Sequence, residues 1–94
     1  MSKHDRLQRE VYYAGRVQGV GFRYTARMLA DRFDVTGFVR NLPDGRVQLA
    51  VEGATAEVDK FLDAVKAEMG YYIEDVQELE RPAVGRFHGF EVRH

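Results

Sequence analysis

Residues 15–23 read G-R-V-Q-G-V-G-F-R, and the chemistry of the chain is expected to be organised around them. Glycines at positions 15, 19 and 21 interrupt this stretch. Glycine takes positive φ cheaply and lets a ligand approach the main chain, so such a run between a strand and a helix can curl its amides into an anion-binding concavity. Arg23 falls in the first turn of the helix that follows, where N–H groups lack intrahelical acceptors and carry partial positive charge. A planar guanidinium there can clamp two phosphate oxygens at once. The natural guest is a small dianion.

The elements around this loop are read from hydrophobic period and turn chemistry. Residues 1–7 form a polar lead-in, expected to be disordered. Residues 8–17 read as a strand with apolar side chains on both alternations, hence one inside the sheet. Phe22, Ala26, Leu29, Ala30 and Phe33 recur at helical spacing. Residues 35–41 suggest a second strand, and Leu42, Pro43, Asp44 and Gly45 form a turn. A third strand follows over residues 46–52, with Val47, Leu49 and Val51 inward and Arg46, Gln48 and Glu52 outward. Thr55 is expected to cap a second helix carrying Val58, Phe61, Leu62, Val65 and Met69, closed by Gly70. An acidic edge strand over 73–80, a loop over 81–87 and a short last strand over 88–93 complete the chain.

The order β-α-β-β-α-β, with one further strand, predicts an α+β fold of the ferredoxin-like type. It is a mainly antiparallel sheet of about five strands with two helices on one face. In such a split βαβ unit the first two strands run parallel with another between them, so their carboxyl ends share one edge of the sheet. Asn41, ending the second strand, therefore comes near the glycine-rich loop across a gap of roughly 10 Å. A phosphate and one water can occupy that gap.

Ninety-four residues make a single domain, 1–94, with room for one core. Basic and acidic residues number 14 and 15, a net charge of -1, so no general attraction to nucleic acid or anionic membrane is expected. Cysteine is absent, which excludes disulfides and thiolate chemistry. The polar N-terminus and the lack of a long apolar run point to a cytoplasmic protein. His4, His88 and His94 are scattered without ligand spacing, so no metal and no cofactor is expected. Tyr12, Tyr13 and Tyr24 read as packing residues, and Arg16 and Arg40 as exposed charges bordering the site.

The glycine-rich stretch is similar to the first signature of the acylphosphatase family, roughly G-x-V-x-G-V-x-[FY]-R. Residues 37–53, G-F-V-R-N-L-P-D-G-R-V-Q-L-A-V-E-G, resemble the second. The first match alone arises by chance about once in 10⁷ windows at residue frequencies of roughly 7%. The resemblance covers about residues 9–93 and implies the same fold. It also implies hydrolysis of acyl phosphates to a carboxylate and inorganic phosphate, without metal or covalent intermediate. Carried over residue by residue, it makes Arg23 the phosphate clamp, assisted by the backbone amides of Gln18, Gly19, Val20, Gly21 and Phe22. Asn41 becomes the residue that positions the attacking water.

Other readings stay open at this stage. Arg23 could be a solvated helix residue, and Asn41 could simply begin the turn. A ferredoxin-like sheet can also bind single-stranded RNA or phosphate without catalysis, although RNA binding needs exposed aromatics that the outward positions of the third strand lack. A relative that acts on carbamoyl phosphate within a much larger protein is a third possibility, against which a free-standing chain of this length argues. The expected partners are a small acyl phosphate and inorganic phosphate, with no nucleic acid and no membrane, and the protein is expected to be a monomer. Where relatives often carry Gly-Pro, this chain has Gly70, Tyr71, Tyr72 and Ile73, an expected exposed patch.

Overall fold

Apolar residues at alternate positions, Leu7, Val11 and Tyr13, give the first strand one buried face, and its backbone pairs with a neighbour on each edge. The computed structural model describes residues 6–94, and β1 (Arg6–Gly15) opens it. Residues 1–5 of the expected lead-in lie outside the described residues; Arg6 and Leu7 already belong to β1, and Leu7 is buried. Helix α1 (Phe22–Ala30), β2 (Val35–Asn41), β3 (Val47–Ala54) and α2 (Thr55–Met69) follow, then a single 3₁₀ turn (Gly70–Tyr72), β4 (Ile73–Pro82) and β5 (Phe90–Arg93). The sheet order is β4-β1-β3-β2-β5. This is the expected ferredoxin-like α+β arrangement, with β1 inside the sheet and the acidic β4 at its edge.

The core lies between the sheet and the two helices. Leu7, Val11 and Tyr13 of β1 and Val47, Leu49 and Val51 of β3 meet Phe22, Ala26 and Leu29 of α1 and Val58, Phe61 and Val65 of α2. Each fully buried Val, Leu or Phe stabilises the fold by about 1.5–3 kcal/mol. Phe33 lies beyond the end of α1 rather than within it, and packs on Phe61 with ring centroids 6.2 Å apart.

Both β1 and β2 run antiparallel to β3, from opposite sides. They are therefore parallel to each other, and Gly15 and Asn41 end at one edge of the sheet. β5 pairs parallel to β2 and makes the sheet mixed.

Four local expectations change. Gln48 and Glu52 are not exposed on the second face of the sheet but 6% and 1% accessible. The segment after β4 folds over that face: the Glu52 carboxylate accepts the amides of Val84 at 2.8 Å and Gly85 at 2.9 Å, and Phe87 packs edge-on against Phe38. Gln48 is held by Arg40 Nε at 2.6 Å and itself donates to Glu10 and the Tyr12 hydroxyl, each at 3.2 Å. A buried polar group is tolerated only when bonded in this way.

Ala54, not Thr55, occupies the N-cap of α2. Gly70 stays right-handed at φ -56, because the chain continues into the 3₁₀ turn instead of reversing. Of the expected aromatic patch only Tyr71 is largely exposed, while Tyr72 and Ile73 pack against the core.

Candidate active site

The loop departs from β1 where only glycine fits. Gly15 has φ +124, and a Cβ there would lie 2.5 Å from the Tyr72 carbonyl oxygen. Arg16 N–H then donates to that same carbonyl at 3.0 Å, tying the loop to the 3₁₀ turn that leads into β4. From this point the main chain makes no further backbone donation until Thr25, whose N–H reaches Gly21 at 3.0 Å.

Among the described residues, the amides of residues 17–24 have no protein acceptor. Gly19 and Gly21 sit at φ +78 and +81, and Gly21 caps α1 without any side chain of its own. No acidic residue occupies the first turn of α1 to compete for those amides. Unpaired amides beside buried residues such as Val17 and Phe22 are rare in folded proteins unless a ligand or water takes them.

Val17, Gly19, Gly21, Phe22, Arg23, Tyr24 and Asn41 line one hollow of about 160 Å³. At roughly 30 Å³ per water this is the space of about five waters, room for a tetrahedral anion and a nucleophile. Arg23 and Asn41 are thus brought together as the topology required. Gln18 and Val20 instead line a neighbouring, larger hollow with Gly15, Arg16, Gly45 and Tyr72.

Arg23 is half-buried. Its guanidinium donates to the Arg93 carbonyl at 3.2 Å and lies 3.2 Å from His94 Nδ1. No carboxylate pairs with it among the described residues, whereas Arg27, one turn later, is bound to Asp31 at 2.6 Å. Its charge is therefore uncompensated beside the free amides.

Asn41 ends β2 opposite Val47, and among the described residues its carboxamide makes none of the hydrogen bonds that close the turn. The turn is closed by Leu42 N–H to Arg46 O at 2.8 Å and Gly45 N–H to Leu42 O at 3.1 Å. Asp44 accepts the Arg46 amide at 3.0 Å. That amide, with the Arg46 guanidinium behind it, holds the Asp44 carboxyl below the usual carboxylate value. The lock is in place above the ordinary carboxylate range and is released only as pH falls through the lowered value.

Side-chain contacts that no spacing in the sequence announced hold the site together. The Gln18 carboxamide donates to Leu42 O at 2.8 Å and to Arg46 O at 2.9 Å, welding the glycine loop to the β2–β3 turn. Gln18→Leu keeps the volume and removes both donors. It is expected to lower stability by about 1–3 kcal/mol, the net worth of two hydrogen bonds, while each carbonyl keeps its backbone donor in the turn, as read by thermal or urea unfolding. Activity falls with it about tenfold, because a loop misplaced by an ångström loses its alignment with Asn41. The Arg93 and His94 contacts with Arg23 were equally invisible, and Tyr24 is not a packing residue: it is 62% exposed.

Fold and site together define a small α+β domain of ferredoxin-like arrangement, in which residues of the glycine loop line a hollow shared by an arginine and an asparagine. The sequence matches the acylphosphatase family profile over residues 9–92. It is 40% identical over 85 residues to an acylphosphatase of Archaeoglobus fulgidus, covering 90% of this chain and 96% of that one. It is 46% identical over 84 residues to one of Rubrobacter xylanophilus, covering 88% and 76%. The structure superposes on the crystal structure of acylphosphatase from Bacillus subtilis with a TM-score of 0.85 at 36% identity, over 94% of this chain and 99% of that one. The chain belongs to the acylphosphatase family.

Proposed function

We propose that this protein hydrolyses the carboxyl–phosphate bond of acyl phosphates by direct attack of water, with Arg23 and the loop amides holding the phosphoryl group and Asn41 holding the water. The water oxygen bonds to phosphorus as the bond from phosphorus to the acyl oxygen breaks. The electron pair leaves on a carboxylate, and the water's proton passes to a phosphoryl oxygen. Because a carboxylate leaves readily, no strong general acid is needed, and none of the residues lining the hollow is a carboxylate or a histidine. Positioning and charge stabilisation are the main sources of catalysis in phosphoryl transfer. Arg23 and the free amides supply both, so the reaction is expected to proceed without a metal ion.

The observation that carries this reading is one hollow lined by Gly19, Gly21 and Phe22, whose amides have no protein acceptor among the described residues, by Arg23, which has no carboxylate partner among them, and by Asn41. A non-catalytic RNA-binding sheet finds less support, because the second face it would use is covered by the segment around Val84 and Phe87. We place the enzyme in the cytoplasm, as a monomer, with an acyl phosphate as substrate and inorganic phosphate as product.

The test is release of phosphate from benzoyl phosphate. Activity that persists in a chelator and is inhibited competitively by inorganic phosphate is expected. No hydrolysis of any acyl phosphate by the folded protein overturns the reading.

A further inference from the structure

Tyr24 is unexplained by packing. It is the third residue of α1 and lines the same hollow as Arg23 and Asn41, yet its side chain is 62% exposed. The other large apolar side chains of the lining, Val17 and Phe22, are 0% and 2% exposed and committed to the core. Tyr24 is thus the aromatic of the lining that a bound molecule can reach. Met28, at i+4 and one turn further along the same helix face, is 67% exposed. An apolar strip therefore runs along the outside of α1, leading away from its N-terminus.

A phosphoryl group seated on those amides turns its oxygens toward them and toward Arg23. The bond to the acyl oxygen must then point away, and the acyl group leaves the hollow on the solvent side, where Tyr24 stands. An acetyl group is too short to cover much of that ring. An aromatic or branched apolar acyl group can lie against it and, if longer, reach Met28.

We propose that Tyr24 is a specificity-determining residue, whose ring packs against the acyl group and selects acyl phosphates with aromatic or bulky apolar acyl groups over short ones. This rests on the acylphosphatase reading above and names the substrate class of that site.

The experiment measures kcat/KM for benzoyl phosphate and for acetyl phosphate with the native protein, Tyr24→Ala and Tyr24→Phe, together with the inhibition constant of inorganic phosphate. Taking the benzoyl-to-acetyl ratio in each protein cancels the intrinsic difference between the two leaving groups. The ratio is expected to fall about tenfold in Tyr24→Ala, the order of one ring contact together with the area it buries, and to be kept in Tyr24→Phe. The phosphate inhibition constant stays within about twofold, since the ring does not touch the anion.

An unchanged ratio in Tyr24→Ala, with both substrates turned over by the native protein, overturns the assignment and leaves the acylphosphatase reading intact. Loss of phosphate affinity equal to the loss on benzoyl phosphate also overturns it, because Tyr24 would then act through the anion cradle. A native protein inactive on both substrates sinks the functional reading itself.

Discussion

Arg23→Gln is expected to lower kcat/KM on an aromatic acyl phosphate by at least about 10³-fold, with competitive inhibition by inorganic phosphate lost in parallel. Glutamine preserves much of the length and polarity of the side chain but removes the charge and the forked donor. Charge builds up on the equatorial oxygens of the transferring group, and Arg23 is the cation lining the hollow. The fold should tolerate the change. Arg23 is only half-buried, has no carboxylate partner among the described residues, and gives up a carbonyl and a histidine contact at the exposed end of β5. Unfolding midpoints within a few degrees of the native protein are therefore expected, which separates lost chemistry from lost structure. Arg23→Lys restores the charge without the fork and is expected to recover only part of the activity. Full activity in Arg23→Gln, with the fold intact, would remove the guanidinium from the mechanism.

Asn41→Ala is the second large effect and has a different signature. A carboxamide that holds the attacking water acts on the reaction step, so kcat falls by about 10²–10³-fold. The anion is held by other groups, so the inhibition constant of phosphate changes little. This contrast with Arg23→Gln is the point of the pair. Were Asn41 present only to begin the turn, alanine would cost stability and leave kcat near its native value. The closing hydrogen bonds of the turn come from Leu42, Gly45 and Asp44, so the variant should fold normally. A variant that loses stability but keeps kcat would return Asn41 to a purely structural role.

Much of this site could be read before any fold was in hand, for reasons that are local. The glycine spacing, the helix that starts at Phe22 and the strand Val35–Asn41 with its turn are governed by backbone sterics and by hydrophobic periods that act within a few residues. Once the order of elements implied a split βαβ unit, topology alone put Arg23 and Asn41 at one edge. The family signatures then attached roles to those two positions.

Other features followed from no local rule. The outward positions of β3 were expected in solvent because alternation along one strand reports two faces and not what covers the second. Gln48 and Glu52 are buried there because residues distant in the chain fold over them. Strand ends moved by a residue or two where pairing partners, and not propensity, decided how far a ladder extends: β1 begins at Arg6 and β3 runs on to Ala54.

By itself, then, the sequence determined the elements, their order and the two residues, Arg23 and Asn41, that come to line one hollow, because short-range sterics, period and the order of elements suffice for those. Only the tertiary structure decided how Gln18 welds the loop to the turn, how β5 holds the Arg23 guanidinium, and that Tyr24 stands open beside the hollow. Those contacts join side chains far apart in the chain, and their geometry exists only after the sheet and helices have packed.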